Sequence, residues 1–321
     1  MKAIVCRTIS DDIGTLRLEE ISLPALKAHE ARVRIRAAAV NFTDILMVQG
    51  KYQHKPELPF VPGSEAAGDV IAVGESVTNV KLGDRVIAGG LGGFAEELQA
   101  PAQSLRRIPA GVDYAAAAGF TVAYLTAYVA LVRRARIEAG EWLLVHGAAG
   151  GVGLAAVDLG KTLGARVVAT ASTETKRAFL KSYGADAVLP SMGFREAVKE
   201  ITGGGANVIY DPVGGDVFDE STRCIAFDGR ILIIGFTSGR IPSIGVNMPL
   251  IKGYSIMGVR AGEYGRRYPE RGRENMEAIM RLLADGKIRP HVHAKLPLER
   301  AVDAMRLLER RETIGKVVLA P

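Results

Sequence analysis

The stretch Trp142-Leu-Leu-Val-His146-Gly147-Ala-Ala-Gly150-Gly151-Val-Gly153-Leu-Ala-Ala-Val157 constrains this chain more than any other. Leu143, Leu144 and Val145 form an uninterrupted apolar run, the pattern of a parallel strand covered on both faces. Gly147 to Gly153 lets the backbone turn sharply and come close to a ligand, because glycine has no Cβ. From Val152 onward apolar residues return at helical spacing. A strand, a glycine turn and a helix start together present free backbone N–H groups and the positive end of a helix dipole, which suits a pyrophosphate. The dinucleotide fingerprint is G-x-G-x-x-G. The register here is Ala148-Ala149-Gly150-Gly151-Val152-Gly153, with alanine in place of the first glycine. A tight turn with no ligand would satisfy the same pattern. The strand before it, the helix after it and a second strand about twenty residues on favour the dinucleotide reading. That reading marks Ala149, Gly150, Gly151 and Val152 as candidate cofactor contacts.

Strand candidates recur at 142–146, 166–170, 187–189, 207–211, 230–235 and 254–259, with helical stretches such as Thr175 to Tyr183 and Phe194 to Thr202 between them. The alternation predicts an α/β fold, a doubly wound parallel sheet of about six strands over residues 123–261. Residues 1–122 read differently. Short β segments at Ala31 to Arg36, Gly68 to Val73, Asp84 to Ala88 and Phe94 to Leu98 are punctuated by Pro62-Gly63, Gly74, Gly83 and Gly89-Gly90. They predict a β-rich domain. Residues 262–321 carry a helix over Pro269 to Ala284, a strand near Val292, a helix from Leu298 to Leu308 and a closing strand at Lys316 to Leu319. With 321 residues the chain exceeds one typical core, so two domains are expected.

Several function classes are excluded early. No apolar run approaches the roughly eighteen residues of a membrane span, so none is expected. The N-terminus, Met1-Lys-Ala-Ile-Val-Cys6-Arg-Thr, is charged too soon for a secretory signal. Only Cys6 and Cys224 are present, which argues against a disulfide framework and fits a reducing, cytoplasmic compartment. The net charge is +6, with basic clusters at Arg133-Arg134-Ala-Arg136 and between Arg260 and Arg273. No nucleic-acid-binding motif accompanies them, so nucleic acid is not expected as the primary partner.

Cofactor choice is read at the end of the second strand of the alternating region. The segment Arg166-Val-Val-Ala-Thr170-Ala171-Ser172-Thr173-Glu174-Thr175-Lys176-Arg177 has no acid at the strand tip to bind ribose hydroxyls and repel a 2′-phosphate. Ser172, Thr173, Lys176 and Arg177 instead place two hydroxyls and two cations close together, which favours NADPH. A helix N-cap at Ser172 or Thr173 followed by solvated charges explains the same residues without a ligand, and Glu174 fits a helix start. Two further loops follow strands, where open sheets bind ligands: Asp211-Pro212-Val213-Gly214-Gly215 and Gly235-Phe236-Thr237-Ser238-Gly239.

The runs Ala39-Val-Asn41-Phe-Thr-Asp44, Gly50-Lys-Tyr52, Pro59-Phe-Val-Pro62-Gly63-Ser64-Glu65-Ala-Ala-Gly68, Val80-Lys-Leu-Gly83-Asp84-Arg85-Val86 and Gly315-Lys316-Val-Val-Leu319 resemble the medium-chain dehydrogenase/reductase superfamily. Within it, the chain is similar to the zinc-independent quinone oxidoreductase branch, which includes zeta-crystallin, and the resemblance covers essentially the whole chain. It implies a GroES-like β-rich catalytic domain, 1–122 with 262–321, and a Rossmann domain, 123–261. In zinc-dependent members a Cys stands at the position of Asn41 and a His at that of Ser64, and the cysteines of a structural-zinc lobe are absent here. Catalytic zinc is therefore not expected. His291 and His293 fall on one side of a strand with no third ligand in sight and read as surface or strand-edge residues.

The resemblance places Asn41, Asp44 and Tyr52 near the nicotinamide and substrate. From their chemistry, Asn41 and Asp44 also fit a turn closing onto a short helix from Asp44 to Val48. Tyr52 fits either a proton donor or a packed aromatic. The resemblance further places Thr126, Gly235, Phe236, Val259 and Arg260 around the nicotinamide half. Many relatives carry a Tyr by the adenine, which Val188-Leu-Pro190-Ser191-Met192 lacks. Together these readings predict a zinc- and flavin-free NADPH-dependent reductase acting on a quinone or another conjugated carbonyl. The alternatives are C=C reduction of enals, enones or enoyl-CoA thioesters, or an NADPH-binding structural, sensor or RNA-binding role. The family also implies a homodimer through sheet edges near the sixth strand.

Overall fold

In the computed structural model, which describes every residue from Met1 to Pro321, the chain forms two units: Met1–Val122 with Pro290–Pro321, and Ala123–Arg289. In the first, β1 (Lys2–Val5) and β2 (Arg17–Glu20) pair antiparallel as a separate ribbon. The main sheet is built on β3 (Glu30–Val40), joined by β4 (Glu65–Val73), β5 (Arg85–Gly89), β6 (Glu97–Pro101) and β7 (Arg106–Arg107). Along β3, Ala31, Val33 and Ile35 are buried while Arg34 and Arg36 are exposed, the alternation of a sheet with one wet face. From Ala37 to Val40 every residue is buried, so the last third of the strand is covered on both sides. β4 approaches the middle of β3 at Gly68, opposite Ile35, where a Cβ would lie 2.0 Å from the Arg34 carbonyl oxygen. Two short helices complete this part. α1 (Phe42–Val48) follows β3, and α2 (Tyr114–Ala118) is capped by the Asp113 carboxylate, which accepts the Ala115 and Ala116 N–H groups.

The chain passes into the second unit within α3 (Thr121–Tyr128), which widens into a π-helical segment over Val129–Ala135. Strand and helix then alternate. β8 (Trp142–Val145), α4 (Gly151–Thr162), β9 (Arg166–Ala171), α5 (Glu174–Tyr183), β10 (Ala187–Pro190) and α6 (Arg195–Thr202) form the first half. β11 (Ala206–Asp211), α7 (Gly215–Ser221), β12 (Ile225–Ile233), α8 (Asn247–Lys252) and β13 (Ser255–Gly258) form the second. The sheet is parallel throughout, in the order β10-β9-β8-β11-β12-β13, the doubly wound dinucleotide-binding arrangement. Leu143, Leu144, Val145, Val167, Val168, Val208 and Ile209 are fully buried, as strands covered on both faces require. The order reverses between β8 and β11, so the carboxyl ends of those strands mark the crevice where such sheets bind ligands.

The second boundary differs from the expected 262. α9 (Ala261–Arg267) and α10 (Pro269–Ala284) belong to the second unit, and the return falls at Pro290. The reason is side-chain anchoring that no periodicity announces. The Arg133 guanidinium donates to Asn275 Oδ1 at 2.7 Å and to Glu274 Oε2 at 2.7 Å. The backbone at Arg289 is held on both sides, its N–H by Asp158 Oδ2 at 2.7 Å and its carbonyl by the Tyr183 hydroxyl at 2.6 Å. After Pro290, β14 (Val292–Pro297), α11 (Ala301–Glu309) and β15 (Lys316–Ala320) complete the first sheet, β15 running antiparallel to β3. No helix is long and apolar enough to cross a membrane.

α4 lies close on the sheet because Gly160 faces it: a Cβ there would sit 2.6 Å from Leu143 Cδ2. Gly160→Val is expected to cost about 1–3 kcal/mol of stability by overpacking. Trp142, the sole tryptophan, begins the strand beneath and reports unfolding of this unit by fluorescence. An unchanged denaturant midpoint would show that the contact is not tight.

Candidate functional site

The turn between β8 and α4 is fixed by one backbone conformation and one close approach. Gly147 has φ of 54°, in the left-handed region that favours glycine. Gly153 packs against it so closely that a Cβ would lie 2.4 Å from the Gly147 carbonyl oxygen. Ala148, which stands where the fingerprint has its first glycine, is fully buried and does not adopt positive φ. The left-handed residue is the one before it, which is why alanine fits. Gly150 caps α4 without any side-chain hydrogen bond, and no acid lies in the first turn. The N–H groups of Gly151 and Val152 therefore have no intrahelical acceptor and sit at the positive end of a twelve-residue helix. A backbone cradle with no internal carboxylate to fill it fits a pyrophosphate.

Beneath the turn, His146 ends β8 fully buried, its ring nitrogens 3.1 Å from Thr170 Oγ1 and 2.8 Å from Ser221 Oγ. Burial pushes its imidazole down to about 3, so it stays neutral. At the tip of β11, Asp211 Oδ1 accepts the N–H groups of Val213 and Gly214 at 2.8 and 2.9 Å and shapes the loop facing Gly147. Burial raises the Asp211 carboxyl above its ordinary range.

At the tip of β9 the expected phosphate-binding residues are present, some with internal partners. Thr173 is the N-cap of α5, its hydroxyl accepting the Lys176 N–H at 3.3 Å. Arg177 donates to Glu174 Oε2 and to the Ala171 carbonyl. Ser172 is exposed, and Lys176 is half-buried. On the other strand ends, Gly235 is half-buried, Phe236 exposed, Val259 buried and Arg260 exposed. Thr126 lies half-buried on α3.

In the first unit a buried polar network occupies the start of α1. Lys316 Nζ donates to Asn41 Oδ1 at 2.5 Å and to Glu65 Oε1 at 2.9 Å. Asn41 Nδ2 donates to the same Glu65 oxygen at 3.1 Å. Glu65 Oε2 accepts the Thr121 hydroxyl at 2.9 Å and the Val122 N–H at 2.8 Å, so both carboxylate oxygens are satisfied. Asp44 Oδ2 accepts the Asn41 N–H at 2.8 Å, and Oδ1 accepts the Ser64 hydroxyl. Asn41 and Asp44 are thus brought together, but both are buried and engaged internally. Tyr52 is half-buried against the unit's core, and its hydroxyl has no partner within the protein.

These features have known counterparts. The model of the alcohol dehydrogenase GroES-like domain matches residues 27–110, and that of the zinc-binding dehydrogenase family matches residues 151–284. A quinone oxidoreductase-like protein 2 homolog from Nematostella vectensis is 38% identical over 99% of this chain and 88% of its own length. Quinone oxidoreductase-like protein 2 of Mus musculus is 40% identical over 95% of this chain and 89% of its own. The chain belongs to the quinone oxidoreductase branch of the medium-chain dehydrogenase/reductase superfamily. Among solved structures, Escherichia coli quinone oxidoreductase complexed with NADPH superposes with a TM-score of 0.91 at 31% identity, covering all of both chains. The protein is accordingly an oxidoreductase with a site for a nicotinamide cofactor.

The zinc-named match lies outside Asn41 and Ser64, and both of those side chains are consumed by hydrogen bonds within the protein. The network of Glu65, Thr121 and Lys316 around Asn41 is not apparent in the sequence, because 251 residues separate the lysine from its carboxylate partner. The Gly315-Lys316 and Glu65 motifs were visible, but their pairing was not.

Burial lifts the Asp44 carboxyl from 3.8 to about 6, against hydrogen bonds from Ser64 and Asn41 that favour its charged form. Between those values the folded protein holds a proton that the unfolded chain has released, so Asp44 contributes less stability as pH rises through this window. Asp44→Asn is therefore expected to gain on the wild type, by up to about 3 kcal/mol, between about pH 4 and about pH 7. A stability difference flat across that range, measured by urea unfolding, would show that Asp44 titrates as an ordinary carboxylate.

Proposed function

We propose that the protein is an NADPH-dependent quinone reductase that works without zinc or flavin. One observation carries this reading: an uncapped helix N-terminus, and at the neighbouring strand tip an exposed serine and an arginine with no acid on the strand itself. The NADPH named for the Escherichia coli structure supports it. When bound, the cofactor supplies a hydride, and the protein's part is positioning and electrostatics.

The N–H groups of Gly151 and Val152 take the pyrophosphate, with Ala149 and Gly150 forming the wall of the turn. Ser172, Thr173, Lys176 and Arg177 serve the 2′-phosphate. Thr126, Gly235, Phe236, Val259 and Arg260 serve the nicotinamide half. Tyr52 is the proton donor to the reduced oxygen, its hydroxyl being the uncommitted one. Asn41 and Asp44 are positioning residues that hold the start of α1 in place, since their polar atoms are already bonded to Lys316, Glu65 and Ser64. The second reading, reduction of an enoyl-CoA thioester, draws on Arg260, which is exposed and has no side-chain partner to compete with a CoA phosphate.

The homodimer belongs to the same proposal. β13 leaves one sheet edge open, and Val246, Leu250 and Ile251 just before it in the chain are exposed by 87%, 81% and 73%.

NADPH oxidation should be followed with a benzoquinone, a naphthoquinone, a conjugated enal and an enoyl-CoA, with NADH as the control. The expected result is fastest turnover on a quinone, with Tyr52→Phe lowering kcat by about tenfold or more while leaving the KM for NADPH unchanged. Faster turnover on the enoyl-CoA selects the second reading. No oxidation with any quinone or enal overturns the assignment.

A further inference from the structure

The arginine offered to the 2′-phosphate is already neutralised by its own helix. Arg177 Nε and Nη2 both donate to Glu174 Oε2, at 3.1 and 2.7 Å, and Nη1 donates to the Ala171 carbonyl at 3.2 Å. The last contact draws the guanidinium back over the end of β9, since Ala171 is that strand's final residue. The Arg177 side chain is 23% exposed and that of Glu174 81%. The carboxylate is therefore carried outward into solvent by a cation that is itself seated on the strand tip.

The strand tip is where a doubly wound sheet discriminates between dinucleotides. An acid there binds ribose hydroxyls, and an arginine there accommodates a 2′-phosphate. This chain has no acid on the strand itself, but the first residue of α5, Glu174, brings one beside the tip, three residues before Arg177 and bonded to it. We propose that Glu174 and Arg177 form a self-neutralising selector, which lets the site accept NADH as well as NADPH and holds its preference for NADPH down. With NADPH, the 2′-phosphate takes Arg177 and the exposed carboxylate of Glu174 swings away. With NADH, the pair stays closed and the Glu174 carboxylate accepts a ribose hydroxyl. The exchange is cheap in both directions, because the carboxylate of the pair is 81% exposed and an ion pair so open to water contributes little. Ser172, exposed and without a side-chain partner, joins Arg177 on the phosphate, and Thr173, whose oxygen accepts the Lys176 N–H in capping α5, keeps its O–H to donate there.

This inference rests on the NADPH reading above, and its test separates the two. Dissociation constants for NADPH, NADH and adenosine 2′,5′-bisphosphate are measured by calorimetry, with no substrate present. The proteins are the wild type, Glu174→Gln, Arg177→Gln and, as a control, Glu196→Gln. Glu196 is likewise a first-turn acid paired with neighbouring cations, but on α6. Glu174→Gln is expected to raise the NADPH-to-NADH affinity ratio by about fivefold to twentyfold, by freeing Arg177 and removing a like charge from the phosphate. It should tighten the bisphosphate in parallel and weaken NADH. Arg177→Gln should abolish the preference, and Glu196→Gln should leave the ratio unchanged. Wild-type binding of NADPH with a ratio that Glu174→Gln does not move overturns the selector alone, as does an equal shift in Glu196→Gln. A wild type that binds neither NADPH nor the bisphosphate overturns the NADPH reading, and the selector with it.

Discussion

A single buried ammonium makes the most deeply placed ion pair of the first unit. Glu65 is 1% exposed, and a carboxylate so desolvated persists only with a cation and hydrogen bonds on both oxygens. Lys316 supplies the cation from β15, Asn41 shares one oxygen, and Thr121 with Val122 fills the other. The pair thereby ties the last strand of the chain to the end of β3, to β4 and to the first residues of α3. Removing one partner of such a pair costs about 3–5 kcal/mol, because the other is left buried and uncompensated. The network explains why the first sheet needs residues from both ends of the sequence. β15 must lie beside β3 for the ammonium to reach the carboxylate.

The same network occupies the polar atoms of Asn41 and Asp44. Asn41 and Asp44 have the residue types that a catalytic reading seeks, yet each spends its polar atoms on neighbours. What they secure is the start of α1. In the second unit, the glycine turn achieves the corresponding end with backbone alone. Gly147 supplies the left-handed residue, Gly153 the close approach, and the helix start offers N–H groups that no side chain occupies.

Much of the second unit was legible in the sequence, because its signal is local. Buried parallel strands show as apolar runs, and glycine and helix periodicity mark the turns, so each of the six strand candidates overlaps an observed strand. The short strand β2, Arg-Leu-Glu-Glu, carries no comparable signal, since it has no buried residue at all. The boundary near 262 was misplaced because α10 reads as an ordinary amphipathic helix, and nothing local says whose core receives Ile279 and Leu283. Arg133, Asp158 and Tyr183 decide it, and they contact residues more than a hundred positions away. Capping by Thr173 was legible as one of two uses for that hydroxyl, whereas the Glu174–Arg177 pair required coordinates.

His146, directly before the glycine turn, gives the site a property of its own. A charged imidazole under an anion cradle would make its attraction rise and fall across the physiological pH range. This ring is buried between Thr170 and Ser221 and stays uncharged. The cradle's pull on a pyrophosphate therefore comes from fixed peptide dipoles, which neither titrate nor carry a mobile counterion of their own. The strand tip at β9, by contrast, carries an ion pair whose carboxylate is 81% exposed and which added salt screens. Under the proposed placement of the cofactor, ionic strength acts on the phosphate of the ribose end far more than on the pyrophosphate, and so on the choice between dinucleotides more than on binding itself.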